Sequence, residues 1–593
     1  MDLSKLKIGM HQFNTVTGDI DGNLKKIKDN LLMDKSMGAD ISVFPETAIS
    51  GYMCGSLWDR QDFVDAQWTE THKLRDYAKE IGYKGTIVIG FVDYIGNKSN
   101  GFPHLKNAVA VMTPGYGTRV YYKQLLASAD HHEDKKYFDR GDSTKVFEIK
   151  LPSGEKIRIG VPICEDVWSN DHKKNIPKEM VVEYGADLLI NINQSYFYYG
   201  KQEKRFRQLS KIAKELNTPI VSVNSVAVGD ILKNIVIFDG GSMIFDNYGD
   251  LLMEFERFKE VNYVVDFSNF SKSTKRIPSF DSKFSEILSA LIFEQKEFFR
   301  LCGIKKAQVH ISGGIDSALA ACIVKEAMGP ENCVFITNPS KLNYESDSFQ
   351  YAETLCENLG VKLKVNELQT IADEVIRQHQ MAFDWEDLPP KGQASVHAVL
   401  RTVQGLAASH QFGSGIVATG NHTEIVLNWS SFHDIGSIGV HAILADLTKI
   451  EIFQMAKYLN EEYYKKEVIP VALYDGTFKA AAELPDAIED PIDYTVQSGI
   501  CSMLIRDRSN KFGILQIHSV LKNEGVNLYK DYFPFDKEIL KYSEKEWEEQ
   551  VDFAINQMKI SVYKAGQSAP GVIVSPRSRG FSNRETLINK YKN

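Results

Sequence analysis

The segment from Gln308 to Thr337 constrains the fold more than any other part of the chain. Gln308–Ile311 reads as a buried strand, Ser312-Gly313-Gly314 as a tight turn, Ala318–Met328 as an apolar helix and Val334–Thr337 as the next strand. Strand, turn, helix and strand in that order form a parallel βαβ unit, since one helical crossover returns the chain alongside its starting strand. Small residues at the turn let the backbone bend sharply and bring its amides against a ligand. The positive end of the following helix favours an anion, and phosphate is the anion such a turn suits. Asp316, in the first helical turn, stands where its carboxylate reaches a cation held by that phosphate. Taken alone, Ser-Gly-Gly before a helix serves equally well as a plain tight connection. The rest of the chain decides between the two.

At 593 residues the chain exceeds what one hydrophobic core supports, and two to four domains are expected. Residues 1–268 hold short apolar runs: Ile41–Phe44, Thr86–Phe91, Asn107–Met112, Ile157–Cys164, Asp187–Asn193 and Pro219–Val223. They are apolar on nearly every residue, as expected of strands covered on both faces, and Asn23–Met33 supplies an amphipathic helix between two of them. The expectation is an α/β protein whose first domain is an αββα sandwich and whose second is built on a parallel sheet. A Ser-, Lys- and Phe-rich stretch at 269–282 reads as the linker, 283–509 as the second domain, and 510–593 as an extension ending in a tail with Arg577, Arg579, Arg584, Lys590 and Lys592.

In the first domain Cys164, Glu46 and Lys123 each fall at the end of a strand-like run. Amide hydrolysis by a thiolate needs a nucleophile, a base that takes its proton and returns it to the leaving ammonia, and a cation for the oxyanion. Cys164, Glu46 and Lys123 supply those three in turn. Their sequence settings, Phe44-Pro45-Glu46, Tyr121-Tyr122-Lys123 and Pro162-Ile163-Cys164-Glu165-Asp166, resemble the nitrilase-type amidases. That family often carries a second glutamate before a Tyr-Phe pair. Here Glu133 and Asp134 precede Tyr137-Phe138, which leaves open which of the two carboxylates supports the site. The adjacent His131 and His132 are poorly disposed to share one tetrahedral metal ion.

In the second domain Ser312-Gly313-Gly314-Ile315-Asp316-Ser317 resembles the pyrophosphate loop of the ATP pyrophosphatases and differs from the Walker loop. Downstream, Ala418-Thr419-Gly420-Asn421-His422-Thr423-Glu424 and Leu447-Thr448-Lys449 are similar to segments of the glutamine-dependent NAD synthetases, as is Ser575-Pro576-Arg577-Ser578-Arg579 at the C-terminus. The resemblance covers nearly the whole chain. It implies a nitrilase-like domain joined to an ATP-pyrophosphatase domain, with ATP as substrate bound by Ser312, Gly313, Gly314, Asp316, Ser317, Thr419 and Lys449. It further implies Mg2+ on Asp316 and Glu424, and Arg401 and Asp434 at the acceptor site. The implied partners are glutamine, deamido-NAD and ATP, within a homo-oligomer, and the implied products are glutamate, NAD, AMP and pyrophosphate.

Three stretches depart from the family's sequence: Pro485–Asp490, His397–Val399, and Asn224–Asp230. They leave room for an ATP-pyrophosphatase amidotransferase with a different acceptor; an alternative of a different class is a ligand-sensing scaffold that keeps both folds without turnover. The net charge of −9 comes without a basic block, so the footprint of a nucleic-acid binder is missing. Seven scattered cysteines, none spaced CxxC, fit a reducing cytoplasm, and no apolar run approaches the length of a signal or membrane-spanning segment.

Overall fold

The computed structural model describes residues 5–577 except 115, 129–130, 170–171, 232, 271–279, 385, 430–432, 479–491, 526, 528 and 535. The middle of the expected linker, the Pro485–Asp490 stretch and the basic tail beyond Arg577 lie outside the described residues. The chain divides into two compact units, one of Met1–Ile231 with Val236–Glu286 and one of Leu232–Ile235 with Ile287–Asn593.

The first unit contains β1 (Lys7–Gln12), α1 (Ile20–Met37), β2 (Ile41–Val43), α2 (Gln61–Glu80), β3 (Thr86–Asn97), β4 (Pro103–Thr113), β5 (Gly117–Tyr122), β6 (Val146–Lys150), β7 (Lys156–Gly160), β8 (Leu188–Asn193), α3 (Lys201–Leu216), β9 (Ile220–Asn224), β10 (Met243–Phe245), β11 (Leu251–Glu254) and β12 (Val261–Asp266). They form two six-stranded sheets, ordered β12-β1-β2-β3-β4-β5 and β11-β10-β9-β8-β7-β6. Each has a parallel centre, β1-β2-β3 or β7-β8-β9, flanked by antiparallel strands.

The unbroken apolar runs now have a cause. In β3, Val88 joins Met10, Val43 and Val109 in the core shared with Ile159, Ile190 and Val221 of the other sheet. Its neighbours Ile87 and Ile89 point the opposite way, against Ile27 and Leu31 of α1 and Leu74 of α2. On the second sheet Leu209, Ile212 and Ala213 of α3 belong to the same continuous core. Helices outside and sheets inside make the αββα order. Each fully buried branched side chain contributes roughly 1.5–3 kcal/mol to holding it.

In the second part of the chain are α4 (Lys283–Leu301), β13 (Lys306–His310), α5 (Ile315–Met328), β14 (Cys333–Thr337), β15 (Leu363–Val365), α6 (Gln369–Ala382), α7 (Pro390–Phe412), β16 (Ser414–Ala418), β17 (His441–Ala442), α8 (Lys449–Tyr458), α9 (Tyr494–Ile505), α10 (Lys511–Glu524), α11 (Glu544–Ala565) and β18 (Gly571–Val572). The strands run in the order β18-β17-β16-β13-β14-β15, every neighbouring pair parallel. From β13 the chain moves outward to β14 and β15, then returns to β16 on the other side. Loops leaving β13 and β16 therefore diverge, and an open α/β sheet binds ligands in the crevice at such a reversal.

Helix α5 is apolar all round and almost wholly buried, Ala318 to Val324 without a break. Beyond Asn510, α10 and α11 pack with α9 through Val496, Ile500, Ile514, Ile517, Leu521, Trp547 and Val551. The chain then returns to the sheet as β18, and the amides of Val574 and Ser575 donate to Asp446 Oδ2 at 2.8 and 2.7 Å. Among the described residues no helix is long and apolar enough to cross a membrane.

Candidate active sites

In the first unit the strand ends converge on Lys123. Its Nζ lies 2.7 Å from Glu46 Oε1 and 2.7 Å from Asp134 Oδ2, with all three side chains buried. Lys123 leaves the end of β5 and Glu46 follows β2 by three residues. Asp134 opens a one-turn helix, Asp134–Tyr137, whose position is set by the Tyr52 hydroxyl donating to Asp134 Oδ1 at 2.5 Å and the Ala127 amide donating to Oδ2 at 3.0 Å. Of the two carboxylates left open by the sequence, Asp134 is the one on Lys123, while Glu133 pairs with Lys136 at 3.2 Å. Burial works against the Lys123 ammonium, but Asp134, Glu46 and Cys164 outweigh it and hold the pKa well above the usual lysine value.

Glu46 is fixed by two further donors, Asn107 Nδ2 on Oε1 and the Gln194 amide on Oε2, each at 2.7 Å. A carboxylate so held keeps its geometry while protons move.

The run Ile157–Cys164 is shorter as a strand than the sequence implied. β7 ends at Gly160, and Cys164 opens a 3-10 turn, Cys164–Val167, with φ of +43°. A left-handed backbone at a residue with a side chain is disfavoured and persists where its surroundings enforce it. Asp166 is the enforcing group. Its Oδ2 accepts from the Ile163 amide at 3.0 Å and the Tyr121 hydroxyl at 2.8 Å, and its Oδ1 accepts from the amides of Gln124 and Leu125 at 3.1 and 2.9 Å. One carboxylate thus ties the Cys164 turn to the segment just after Lys123. Burial pushes the Asp166 carboxyl up to about 6. Burial, then the charge of Glu46, pushes the Cys164 thiol well above its usual value, with Lys123 pulling the other way. The thiol therefore rests protonated, with the base and cation electrostatically coupled to it.

Lys201, at the start of α3, went unnoticed in the sequence. Its buried Nζ sits 4.0 Å from the centre of the Tyr196 ring, and burial, then Arg205, lowers its pKa to about 8 while Cys164 acts in the opposite sense. Asn107, Gln194 and Asp166 were also missed as supporting groups. Asn107 and Gln194 reach Glu46 across 61 and 148 residues, and Asp166, though two residues from Cys164, ties that turn to Gln124 and Leu125 across 42 and 41.

In the second unit the loop after β13 and the loop after β16 flank the crevice at the reversal of strand order. Gly313 has φ of +82°, and a Cβ there would lie 1.9 Å from the Ser348 carbonyl, so glycine is obligatory. Ser317 Oγ accepts from the Ser312 amide at 3.2 Å and donates to the Gly314 carbonyl at 3.0 Å, bracing the turn from inside the helix. Asn421 Nδ2 donates to Asp316 Oδ1 at 2.8 Å, which links the two loops.

Lys449 is the first residue of α8, whose Thr448 caps the helix in a reciprocal box with Glu451. Its Nζ binds Asp316 Oδ2 and lies 3.2 Å from Glu424 Oε1. Burial, only partly offset by Lys449, lifts the Glu424 carboxyl to about 7. Thr419 follows β16 directly, with its amide on the Gly436 carbonyl at 3.0 Å. Arg401 of α7 pairs with Asp434 at 2.9 Å. The structure thus brings Asp316, Glu424 and Lys449 together and separately joins Arg401 to Asp434.

A family model described as carbon-nitrogen hydrolase matches residues 7–268, and one described as NAD synthase matches 290–523. The chain is 27% identical to the glutamine-dependent NAD(+) synthetase of Acinetobacter baylyi, over 100% of this chain and 99% of that one. It is 27% identical to the synthetase of the same description from Synechocystis, over 98% and 99%. Among solved structures, the glutamine-dependent NAD+ synthetase from Acinetobacter baumannii, in complex with ADP, superposes with a TM-score of 0.70 at 25% identity, covering 99% of each chain. The glutamine-dependent NAD(+) synthetase from Cytophaga hutchinsonii shares the fold with a TM-score of 0.76 at 17% identity, covering 99% of this chain and 98% of that one.

Proposed function

The chain belongs to the glutamine-dependent NAD(+) synthetases, ligases in which a glutaminase domain is coupled to an NAD synthetase domain, and we propose that its two sites divide the reaction as follows. At the first site Glu46 takes the proton of Cys164, and the thiolate attacks the side-chain amide of glutamine. Lys123 stabilises the oxyanion, Glu46 returns the proton to departing ammonia, and water cleaves the thioester to glutamate. Asp134 keeps Lys123 charged and in place. Lys201, a buried cation coupled to Cys164, receives the α-carboxylate of glutamine.

At the second site the carboxylate of deamido-NAD attacks the α-phosphate of ATP. Pyrophosphate leaves within the Ser312–Ser317 turn, assisted by Lys449, and ammonia converts the adenylate to NAD and AMP. Thr419 contacts ATP, and Arg401 with Asp434 meets the acceptor. An adenine nucleotide is supported by the ADP bound in the Acinetobacter baumannii relative. Asp316 and Glu424 fit magnesium: both are hard oxygen donors, and both turn toward one ammonium. When bound, the ion neutralises charge on the leaving pyrophosphate.

The observation that carries the reading is the presence in one chain of two assembled sites, Lys123 between Glu46 and Asp134, and Lys449 between Asp316 and Glu424. Cys164→Ala is expected to abolish NAD synthesis from glutamine while leaving synthesis from ammonium salts intact. Asp316→Ala is expected to remove both. Equal loss with both nitrogen donors in the Cys164 variant rules the division out.

We place the enzyme in the cytoplasm, supported by seven free cysteines, and infer a homo-oligomer. Val399, Val403 and Leu406 lie exposed at helical spacing on α7, as do Ile371 and Val375 on α6. Such an apolar stripe suits burial against a second copy. Sedimentation at micromolar concentration should give a multiple of 67.0 kDa, and a single monomeric species contradicts it.

A further inference from the structure

The segment Tyr196–Lys201 reaches the glutaminase site through Tyr196, whose ring lies 4.6 Å from that of His132, itself 3.3 Å from the Tyr52 hydroxyl that holds Asp134, and two residues from the first turn of α4 hold the segment. Gly200 is the N-cap of α3, with φ of +78°, and no side chain within α3 caps that helix. Its amide donates instead to Glu286 Oε2 at 3.0 Å. A carboxylate there satisfies an orphan donor and lies at the positive end of a sixteen-residue helix. Three residues earlier, Lys283 Nζ sits 4.4 Å from the centre of the Tyr199 ring.

Glu286 belongs to a closed set of charges. Its Oε1 accepts from Arg257 at 2.6 Å, Arg257 binds Asp239 at 2.7 Å, and Asp239 takes both oxygens of its carboxylate to Arg205 at 2.6 Å. Arg205 lies on α3, one turn beyond Lys201. Helix α3 is therefore gripped twice in its first turns, by Glu286 at Gly200 and by Asp239 at Arg205, and Lys201 lies between the two grips. With a grip missing, Lys201 would be free to swing on a glycine hinge.

We propose that Glu286 is a positioning residue of the glutaminase site: through Gly200 and Arg257 it sets the start of α3, and so the place of Lys201 beside Cys164. The proposal rests on the glutaminase reading of Cys164 given above. The linker places this residue after the part of the chain that matches the carbon-nitrogen hydrolase family, residues 7–268, so an amidase domain cut at that boundary lacks it.

Glutamine-dependent and ammonia-dependent NAD synthesis are measured on the full chain for Glu286→Gln, Glu286→Ala and Glu286→Asp. Loss of the charged hydrogen bond is expected to raise KM for glutamine about tenfold in Glu286→Ala and about threefold in Glu286→Gln, with kcat within about twofold. Glu286→Asp, which keeps the charge, recovers part of the loss, and ammonia-dependent synthesis stays at the parent rate. An unchanged KM in both uncharged variants overturns the proposal, as does a parallel fall of glutamine- and ammonia-dependent rates. Should Glu286→Ala not fold, Glu286→Gln decides. Cys164→Ala run alongside separates the two readings: if that variant still uses glutamine, the glutaminase assignment fails whatever Glu286 does.

Discussion

Lys123 shows how much of a site one side chain can hold together. Its ammonium is fully buried between two carboxylates, a geometry in which removing the ammonium leaves both carboxylates uncompensated at a cost of about 3–5 kcal/mol. Asp134→Asn keeps the shape but takes away one counter-charge. Glutamine turnover is expected to fall by about a hundredfold or more, in the range typical of a lost acid–base support. Glu133→Gln, which alters the pair with the half-exposed Lys136 and leaves Lys123 its two carboxylates, should behave as the parent. Assaying the two variants side by side checks the assignment, and comparable losses in both contradict it. The sequence left open whether Glu133 or Asp134 supports the site, because both stand just before Tyr137-Phe138. What separates them is Tyr52, eighty-two positions away, whose hydroxyl is on Asp134. Cys164, Glu46 and Lys123 were legible since each follows an apolar strand run, whereas Asp166 and Lys201 act through contacts that only the folded chain makes.

At the scale of elements, the least legible feature was the last strand. β18 spans only Gly571–Val572 and carries too short an apolar run to stand out. It pairs with β17 beside the Leu447-Thr448-Lys449 loop, and Asp446 fastens it by two amides and the Ser575 hydroxyl, 2.8 Å away. Burial, countered in part by Arg506 and these donors, raises the Asp446 carboxyl to about 6 from 3.8. The folded state therefore holds the proton more tightly than the unfolded chain, so this group makes stability fall as pH rises between about 4 and 6, and adds no slope above that. Asp446→Asn turns an NH2 group toward donors that need an acceptor. It should loosen the segment after Ala565, seen as faster protease cleavage there, and flatten the slope of thermal stability between pH 4 and 6. Cleavage at the parent rate would contradict the fastening role. The βαβ unit around Ser312 was readable in advance because turn, helix and strand are contiguous. The order of the other strands was not, since β16 pairs with β13, and β18 with β17, across a hundred residues or more.

For the whole molecule, the two units differ in how far along the chain they must reach before they are complete. The first closes with Glu286, whereas the sheet of the second lacks strand β18 until Gly571. During synthesis at about 5–20 residues per second, the nascent chain would spend roughly 15–60 s with the first unit whole and the second unfinished. A thiol site able to release ammonia would thus exist before the site that consumes it. A loop that keeps Lys201 in place only once Glu286 has emerged sets the earliest moment at which glutamine can be used, so the order of translation itself limits how long the nitrogen donor is spent without an acceptor.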